Sequence, residues 1–144
     1  MPKDLVKQIT LEEVEYLCFQ LVDEVFPDSE PIPIFETRFE GILESSITQP
    51  FQQIAGKDLY PSFVQKSSIL FYLCIKNHPF ENGNKRVAVL ILLIFLINNN
   101  KWLECTNTEL YELAVYIAKS KTQEMQKILA YIKIFLLSHI KDEN

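Results

Sequence analysis

Positions 87–97 hold an unbroken run of eleven apolar residues, which three asparagines close at positions 98–100. A helix that crosses a bilayer needs about 20 apolar residues, so the run is too short to be a membrane span. It is also longer than a buried strand, which has about 4–8 residues. We therefore predict a helix at the centre of the core, with the other elements packed around it.

Length and composition indicate one globular domain. The chain has 144 residues, of which 48% are hydrophobic and only three are glycine. A chain of this length suits a single domain, here residues 1–144, and its apolar content is enough to bury a core. The formal net charge of −5 argues against direct nucleic-acid binding, because neutralising phosphates requires a basic surface. An anionic ligand must then be held by a local arrangement of residues.

The cysteines indicate a reducing environment. The chain has an odd number of cysteines, namely Cys18, Cys74 and Cys105. They lie far apart in the sequence and lack the spacing of a metal site. Because Cys18 and Cys74 have apolar neighbours, we interpret them as buried free thiols. The first residues, Met-Pro-Lys-Asp-Leu, lack the apolar core of a signal peptide. We therefore expect a cytoplasmic protein without a membrane attachment.

Helix-start signals indicate an all-α fold. Three segments begin with Ser or Thr followed three residues later by Glu or Gln, namely at Thr10, Ser62 and Thr106. In such a capping box, each of the two side chains accepts a hydrogen bond from the backbone N–H of the other residue. Apolar residues then recur at helical spacing, among them Leu17 in the first helix. Two further helices are predicted, one over residues 36–46 with Phe39 facing inward, and one from Thr122 that frays over residues 141–144. With the central helix, these make a compact bundle of about six helices.

Residues 47–61 do not continue the helical pattern. Pro50, Gly56 and the polar pair Lys57-Asp58 interrupt it. Residues 51–54 can pair briefly as a strand. We therefore predict a flap-like loop or a short β-hairpin before the third helix.

One loop carries most of the chemical information, the segment His78-Pro-Phe-Glu-Asn-Gly-Asn-Lys-Arg86 between two apolar helices. Gly83 lets the backbone turn and approach a ligand, and Asn84 is a good N-cap for the helix that follows. The free amides and the dipole at a helix start favour an anion. Lys85 and Arg86 lie in the first turn, where two cations are unfavourable unless an anion compensates them. We predict that Gly83, Asn84, Lys85 and Arg86 bind phosphate.

His78 stands directly before the predicted phosphate site. Imidazole exchanges protons near neutral pH, so His78 can take the proton of a hydroxyl that attacks phosphorus. A histidine beside a glycine turn is more often a solvated loop residue, and only the neighbouring anion site favours a general base. Pro79 and Phe80 are predicted to anchor the loop, with Phe80 in the core.

The same nine residues resemble the signature of the Fic/Doc family, His-Pro-Phe-x-(Asp/Glu)-Gly-Asn-(Gly/Lys)-Arg. Eight of the nine positions agree, and the exception is Asn82, where the family has an acidic residue. Residues 41–45, Pro50 and residues 58–61 are similar to the segment that leads through the flap in the death-on-curing (Doc) branch. The resemblance covers roughly residues 9–120 and implies the Fic/Doc helical fold.

Lys85 and Val89 make the chain more similar to Doc than to the AMP-transferring Fic enzymes. Those enzymes usually have glycine at the position of Lys85 and a second arginine at that of Val89. The Doc resemblance implies a toxin-like protein kinase that moves the γ-phosphate of ATP to a protein hydroxyl, such as a threonine of elongation factor Tu, and arrests translation. It also implies a separate antitoxin as a partner. AMP transfer by the same fold is the alternative activity.

Asn82 replaces the acidic residue with which the family holds a magnesium ion on the nucleotide phosphates. An amide oxygen can ligate magnesium but brings no charge. The resemblance therefore implies Mg²⁺ as a cofactor, with Asn82 as its protein ligand. The lost charge favours a third hypothesis, a catalytically weak Fic-fold module that binds a partner.

Arg38 lies in the segment that resembles the Doc branch, so it either contacts a phosphate or lies on a solvated helix face. Some Fic proteins inhibit themselves with a helix that carries Ser/Thr-x-x-x-Glu-(Gly/Asn). Neither Glu40-Gly41 nor Glu143-Asn144 has Ser or Thr at the required position. Restraint by a separate antitoxin is therefore the expected arrangement.

Overall fold

Within residues 5–142, which the structure, a computed structural model, describes, the chain forms six helices, one β-hairpin and a second two-stranded antiparallel sheet. The helices are α1 (Leu11–Glu13, Val14–Cys18 and Phe19–Val25 in direct succession), α2 (Ile42–Thr48), α3 (Phe63–Lys76), α4 (Asn84–Asn98), α5 (Asn107–Lys119) and α6 (Met125–His139). The strands are β1 (Gln53–Ile54), β2 (Lys57–Asp58), β3 (Lys101–Leu103) and β4 (Ile140–Asp142). Short 3-10 turns cover Phe35–Thr37, Gln49–Phe51 and Thr122–Glu124. The predicted helical bundle with a hairpin before the third helix is confirmed.

The apolar run forms the centre of the fold as α4. Residues 87–96 are all buried except the half-buried Leu93. Helices α1, α3 and α5 and strand β3 contact α4, so its apolar side chains have partners on nearly every side. Burying a side chain such as Leu92 or Phe95 contributes about 1.5–3 kcal/mol. None of the helices in residues 5–142 is long and apolar enough to cross a membrane.

The three predicted capping boxes are present. At α1, the Glu13 N–H donates to Thr10 Oγ1 at 3.1 Å, and the Thr10 N–H donates to Glu13 Oε1 at 2.9 Å. The boxes at Ser62 and Thr106 have the same pair of bonds. A Ser or Thr cap stabilises a helix by about 1 kcal/mol relative to alanine. Short-range sequence signals therefore determine where α1, α3 and α5 begin.

Helix α1 differs from the regular helix that we predicted. Its Val14–Cys18 segment is π-helical, and the Phe19 N–H bonds to the Val14 carbonyl five residues earlier. The wider turn changes which positions face the core. Val22 is buried, whereas Leu17 is 42% exposed. The prediction that Leu17 faces inward was wrong because the 3.6-residue period does not hold across a π-helical turn.

The helix predicted over residues 36–46 is broken into two pieces. A 3-10 turn covers Phe35–Thr37, and α2 begins only at Ile42, after Gly41 with a φ of +82°. Glycine adopts this left-handed conformation without a steric penalty, so it interrupts the helix here. Phe39, which we predicted to face inward, lies between the two pieces and is 46% exposed.

A second two-stranded sheet joins two distant parts of the chain. Strand β3, which follows α4, pairs antiparallel with β4, which follows α6. An ion pair between Lys101 and Asp142 accompanies the pairing. Residues 141–142, which lie in the end that we predicted to fray, therefore belong to a strand. The remainder of that end, residues 143–144, and residues 1–4 of the predicted signal-free start lie outside the described residues.

The two thiols with apolar neighbours are buried, as predicted. Burial raises the pKa of Cys18 far above its usual range and raises the pKa of Cys74 to about 12. Both thiols therefore stay protonated and behave as small apolar side chains. Cys105 is half-buried, and burial together with the Glu109 carboxylate raises its pKa as well. None of the three has the lowered pKa of a nucleophilic thiolate.

Candidate functional site

The motif loop, residues 77–83 between α3 and α4, is tied to the segment around α2. The Pro79 carbonyl accepts a hydrogen bond from the Phe39 N–H at 2.9 Å. Asn77 Nδ2 donates to Ser46 Oγ at 3.0 Å, and the Ser46 hydroxyl is fully buried. These two bonds hold the start of the loop against α2 and its preceding turn. The roles of Ser46 and Asn77 could not be predicted from the sequence, since a serine in a helix and an asparagine at a helix end are common features.

An aromatic cluster holds the inner part of the loop. Phe80 is only 1% exposed. Its ring centroid lies 5.2 Å from that of Phe19 in α1 and 6.5 Å from that of Phe35. Phe19 and Phe35 also meet each other edge to face at 5.3 Å. Since Pro79 is buried as well, the middle of the loop is fixed to the core, while His78 before it and Glu81 and Asn82 after it are exposed.

Asn84 closes the loop through its side chain. Its Oδ1 accepts from the Phe80 N–H and its Nδ2 donates to the Phe80 carbonyl, both at 2.9 Å. We predicted Asn84 as the N-cap of α4, but the N-cap residue is Gly83, whose φ is +75°. The cap prediction was wrong because Asn84 already has its side-chain amide bonded to the loop. Asn84 can still offer a ligand its backbone N–H. This group lies in the first turn of α4, where backbone N–H groups have no acceptor within the helix.

Gly83 is required by packing as well as by its backbone conformation. A Cβ atom at this position would lie 2.7 Å from Ile32 Cγ2, a distance that forces one of the two groups to move. We predicted that the missing side chain leaves room for a ligand to approach. On the side where the side chain would point, that room is filled by Ile32 from the loop that follows α1.

His78 lies at the exposed entrance of the loop. Its φ of +48° falls in the left-handed region, which few residues other than glycine adopt. Holding a residue there costs on the order of 1–3 kcal/mol, and such strain concentrates at functional sites. The buried Pro79 and the Asn77–Ser46 bond on either side hold the backbone in place. The fold thus holds the backbone of an exposed histidine in a fixed and strained conformation.

Two cationic side chains lie at the start of α4. Lys85 and Arg86 are both half-buried. Arg86 Nη1 donates to the backbone carbonyl of Glu30, and its Nη2 lies 3.4 Å from the Cβ position of Gly83. Neither side chain forms an ion pair with a carboxylate of residues 5–142. The helix dipole adds partial positive charge at the same place, so this end of α4 suits an anion.

Arg38 is bound within the protein and does not lie on a solvated helix face. It follows the Phe35–Thr37 turn in extended conformation, and its guanidinium stacks over the Phe35 ring at 4.2 Å. Its Nη2 pairs with Glu44 Oε2 at 3.2 Å. Buried Arg38 Nε and Glu44 Oε1 have no hydrogen-bond partner among the described residues. The charge of Arg38 is thus already compensated, and its contact with a phosphate stays a prediction.

The loop offers few ligands to a metal ion. Glu81 and Asn82 are both exposed. Residues 5–142 contain no group of three His, Cys, Asp or Glu residues that could hold a metal. Magnesium is commonly held by one or two protein ligands together with substrate phosphates. The amide of Asn82 therefore fits only a magnesium ion that arrives with a nucleotide.

Comparison with known proteins finds a family and a relative. The model of the Fic/DOC family matches residues 8–96, which include α1, α2, the first hairpin, α3 and most of α4. Toxin Doc of Mycolicibacterium smegmatis (strain ATCC 700084 / mc(2)155) is 32% identical over 53 residues. These residues are 37% of this chain and 41% of that protein, so the match spans less than half of the relative. The search of solved structures gave no match.

Proposed function

Since the chain belongs to the Fic/DOC family, we propose that it is a nucleotide-dependent transferase that modifies a hydroxyl of another protein. One observation carries this proposal. A strained, exposed His78 and the cationic start of α4, with Lys85 and Arg86, lie at the two ends of a single rigid loop. A base beside an anion site is the arrangement that phosphoryl or nucleotidyl transfer to a hydroxyl requires.

We favour transfer of the γ-phosphate of ATP over transfer of AMP. Lys85 stands where AMP-transferring relatives usually have glycine, and Val89 where they have a second arginine. Val89 is fully buried within α4. An arginine at a buried position without a partner would be strongly destabilising, so this position is built for packing. The chain therefore offers the phosphates one arginine and one lysine at the helix start.

The proposed reaction is an in-line displacement at phosphorus. His78 takes the proton of the acceptor hydroxyl while the hydroxyl oxygen bonds to the γ-phosphorus. The bond from the γ-phosphorus to the β,γ-bridging oxygen breaks, and ADP leaves with that electron pair. Lys85, Arg86 and the first backbone N–H groups of α4 hold the phosphate oxygens and offset their charge. Magnesium would neutralise part of the phosphate charge when it is bound with the nucleotide, and Asn82 is the residue that would hold it.

The biological role that we propose is that of a toxin in a toxin–antitoxin pair. The similarity to a protein named Toxin Doc supports this role. The target would be a cytoplasmic protein, such as elongation factor Tu modified on a threonine, and translation would stop. A separate antitoxin would restrain the enzyme, because the sequence lacks the self-inhibitory motif of some Fic proteins.

A different candidate is a weak or inactive module that retains the fold and binds a partner. Asn82 is the observation that favours it, since the exposed amide brings no charge to a metal ion. AMP transfer remains the alternative reaction for an active enzyme. The three hypotheses differ in which part of a nucleotide becomes attached to protein.

Labelled ATP separates these hypotheses. We would incubate the purified protein with a bacterial lysate and either γ-labelled or α-labelled ATP, and analyse the labelled proteins by gel and mass spectrometry. The kinase proposal expects protein label from γ-labelled ATP alone, and none with the His78→Ala variant. Label from α-labelled ATP would show AMP transfer instead. Absence of both labels at millimolar magnesium would contradict the enzyme proposal and favour the binding module.

A further inference from the structure

We propose that Glu30 and Ile32, in the loop between α1 and the Phe35–Thr37 turn, are positioning residues that hold Arg86 at the phosphate site. Neither residue belongs to the motif, and both lie far from it in the sequence. The assignment of a phosphate to Arg86 rests on the proposed function. The claim that these two residues fix the guanidinium is independent of that assignment.

The first contact is a hydrogen bond to the guanidinium. Arg86 Nη1 donates to the Glu30 carbonyl. A guanidinium has five N–H donors in a rigid planar fork, so one bond at Nη1 restricts the orientation of the others. A backbone carbonyl fills this role without bringing a full negative charge. The cation is therefore oriented but not neutralised, and its charge stays available to an anion.

The second support is an apolar side chain that packs beside the same glycine as the guanidinium. Ile32 Cγ2 and Cβ lie 2.7 and 3.4 Å from the Cβ position of Gly83. Arg86 Nη2 lies 3.4 Å from the same point. The Ile32 side chain and the guanidinium therefore both lie beside Gly83, so Ile32 borders the space in which the Arg86 side chain lies. Together with the Glu30 carbonyl, Ile32 restricts where the Arg86 side chain can lie beside the start of α4.

The sequence of the loop makes it stiff enough for this purpose. Pro31 and Pro33 alternate with the two contact residues, in the order Glu30-Pro-Ile-Pro33. Each proline fixes its own φ and also restricts the residue before it to extended conformations. Glu30 and Ile32 each precede a proline, so both contact residues are restricted even before they meet Arg86. A preformed support of this kind lets an arginine bind an anion without first losing its own conformational freedom.

Chemical modification tests the positioning directly, because the chain contains only two arginines, Arg38 and Arg86. We would treat the nucleotide-free protein with phenylglyoxal and follow both sites by peptide mass spectrometry. Ile32→Ala should raise the modification rate of Arg86 several-fold and leave that of Arg38 unchanged. Ile34→Ala is the matched control, since Ile34 lies in the same loop but is 68% exposed. It should change neither rate, and Ile32→Val should restore the slow rate at Arg86.

A second variant and a second readout keep the test decisive. Pro31→Gly loosens the backbone but keeps the Ile32 side chain, and it can replace Ile32→Ala if that variant does not fold. It should also raise the modification rate of Arg86. In a transfer assay, Ile32→Ala should raise KM for ATP several-fold with little change in kcat. Equal Arg86 rates in the wild type and both loop variants would overturn the proposal, and so would a lower KM in Ile32→Ala. A wild type that transfers nothing would contradict the proposed function, while the modification rates would still decide the role of Glu30 and Ile32.

Discussion

The starts of α3 and α4 place lysines in opposite electrostatic environments. Near the start of α3, Lys66 is only 3% exposed, and its Nζ pairs with Asp58 Oδ2 at 3.0 Å and bonds to the Tyr60 carbonyl. At the start of α4, Lys85 and Arg86 have no carboxylate partner within residues 5–142. The charge of Lys66 is compensated inside the protein, and its bonds hold the first hairpin against α3. The charge at α4 is not compensated inside the described chain, so it suits a ligand.

This difference separates a structural cation from a candidate functional one. A buried charge must be paired, because leaving it alone in the interior is very unfavourable. A half-buried cation without a carboxylate partner can keep much of its solvation until an anion replaces the water. Loss of Lys66 should therefore affect stability, whereas changes around α4 should affect transfer.

The largest effect should come from His78→Ala, which we expect to abolish transfer while leaving the fold intact. Truncating an exposed loop side chain rarely changes stability by more than about 0.5 kcal/mol. His139→Ala is the control for loss of a histidine, because His139 is the other histidine of the chain and lies at the end of α6. Transfer to protein and thermal unfolding should be measured for both variants. Residual transfer above a few per cent in His78→Ala would refute the base assignment.

Lys66→Met should mainly destabilise the protein. Removing one partner of a buried ion pair costs about 3–5 kcal/mol. Since the Asp58 side chain is 37% exposed and can be rehydrated, we expect about 2 kcal/mol. Urea unfolding gives this free energy, with Lys57→Met, an exposed lysine of the same hairpin, as the control. A loss below about 0.5 kcal/mol, as for an exposed pair, would remove the contrast between the two helix starts.

Asn82→Asp should strengthen the binding of magnesium at the candidate site next to α4. An ionised carboxylate attracts a divalent cation more strongly than a neutral amide does, so transfer should reach half its maximum at several-fold lower magnesium. Asn100→Asp adds the same charge at an exposed turn beyond α4 and should change nothing. A magnesium titration of the transfer rate compares the three proteins. Identical curves for the wild type and Asn82→Asp would mean that position 82 does not contribute to metal binding.

The smallest effect is a pH dependence at the structural cluster. Hydrogen bonds from Gln53 and Lys66 and the charge of Lys66 lower the pKa of Asp58. A lowered pKa means that ionised Asp58 stabilises the fold above its unfolded pKa of about 4. This stabilisation is lost as the pH falls through the lower folded value. The difference in Tm between the wild type and Asp58→Asn should therefore be constant near neutral pH and shrink below about pH 4. A difference that does not change down to pH 2 would contradict this account.

Much of the fold follows from signals within a few residues of each other. Capping boxes at Thr10, Ser62 and Thr106 and the apolar run of α4 all act over one or two helical turns. We could therefore predict helices α3 and α5 and the hairpin that precedes α3. The π-helical turn in α1 and the strand β4 could not, because packing and pairing with distant segments decide them.

The sequence by itself determined the central helix, the helix starts and the identity of the loop that carries the candidate chemistry. Only the tertiary structure decided how that loop is held in the fold. It assigned the Asn84 side chain to Phe80, paired Arg38 with Glu44, and brought Ile32 and the Glu30 carbonyl to Gly83 and Arg86. The physical reason is the distance along the sequence between the residues that interact. Caps and helical periodicity are set by neighbouring residues, whereas a carbonyl and a guanidinium from distant parts of the chain meet only when the whole core has packed.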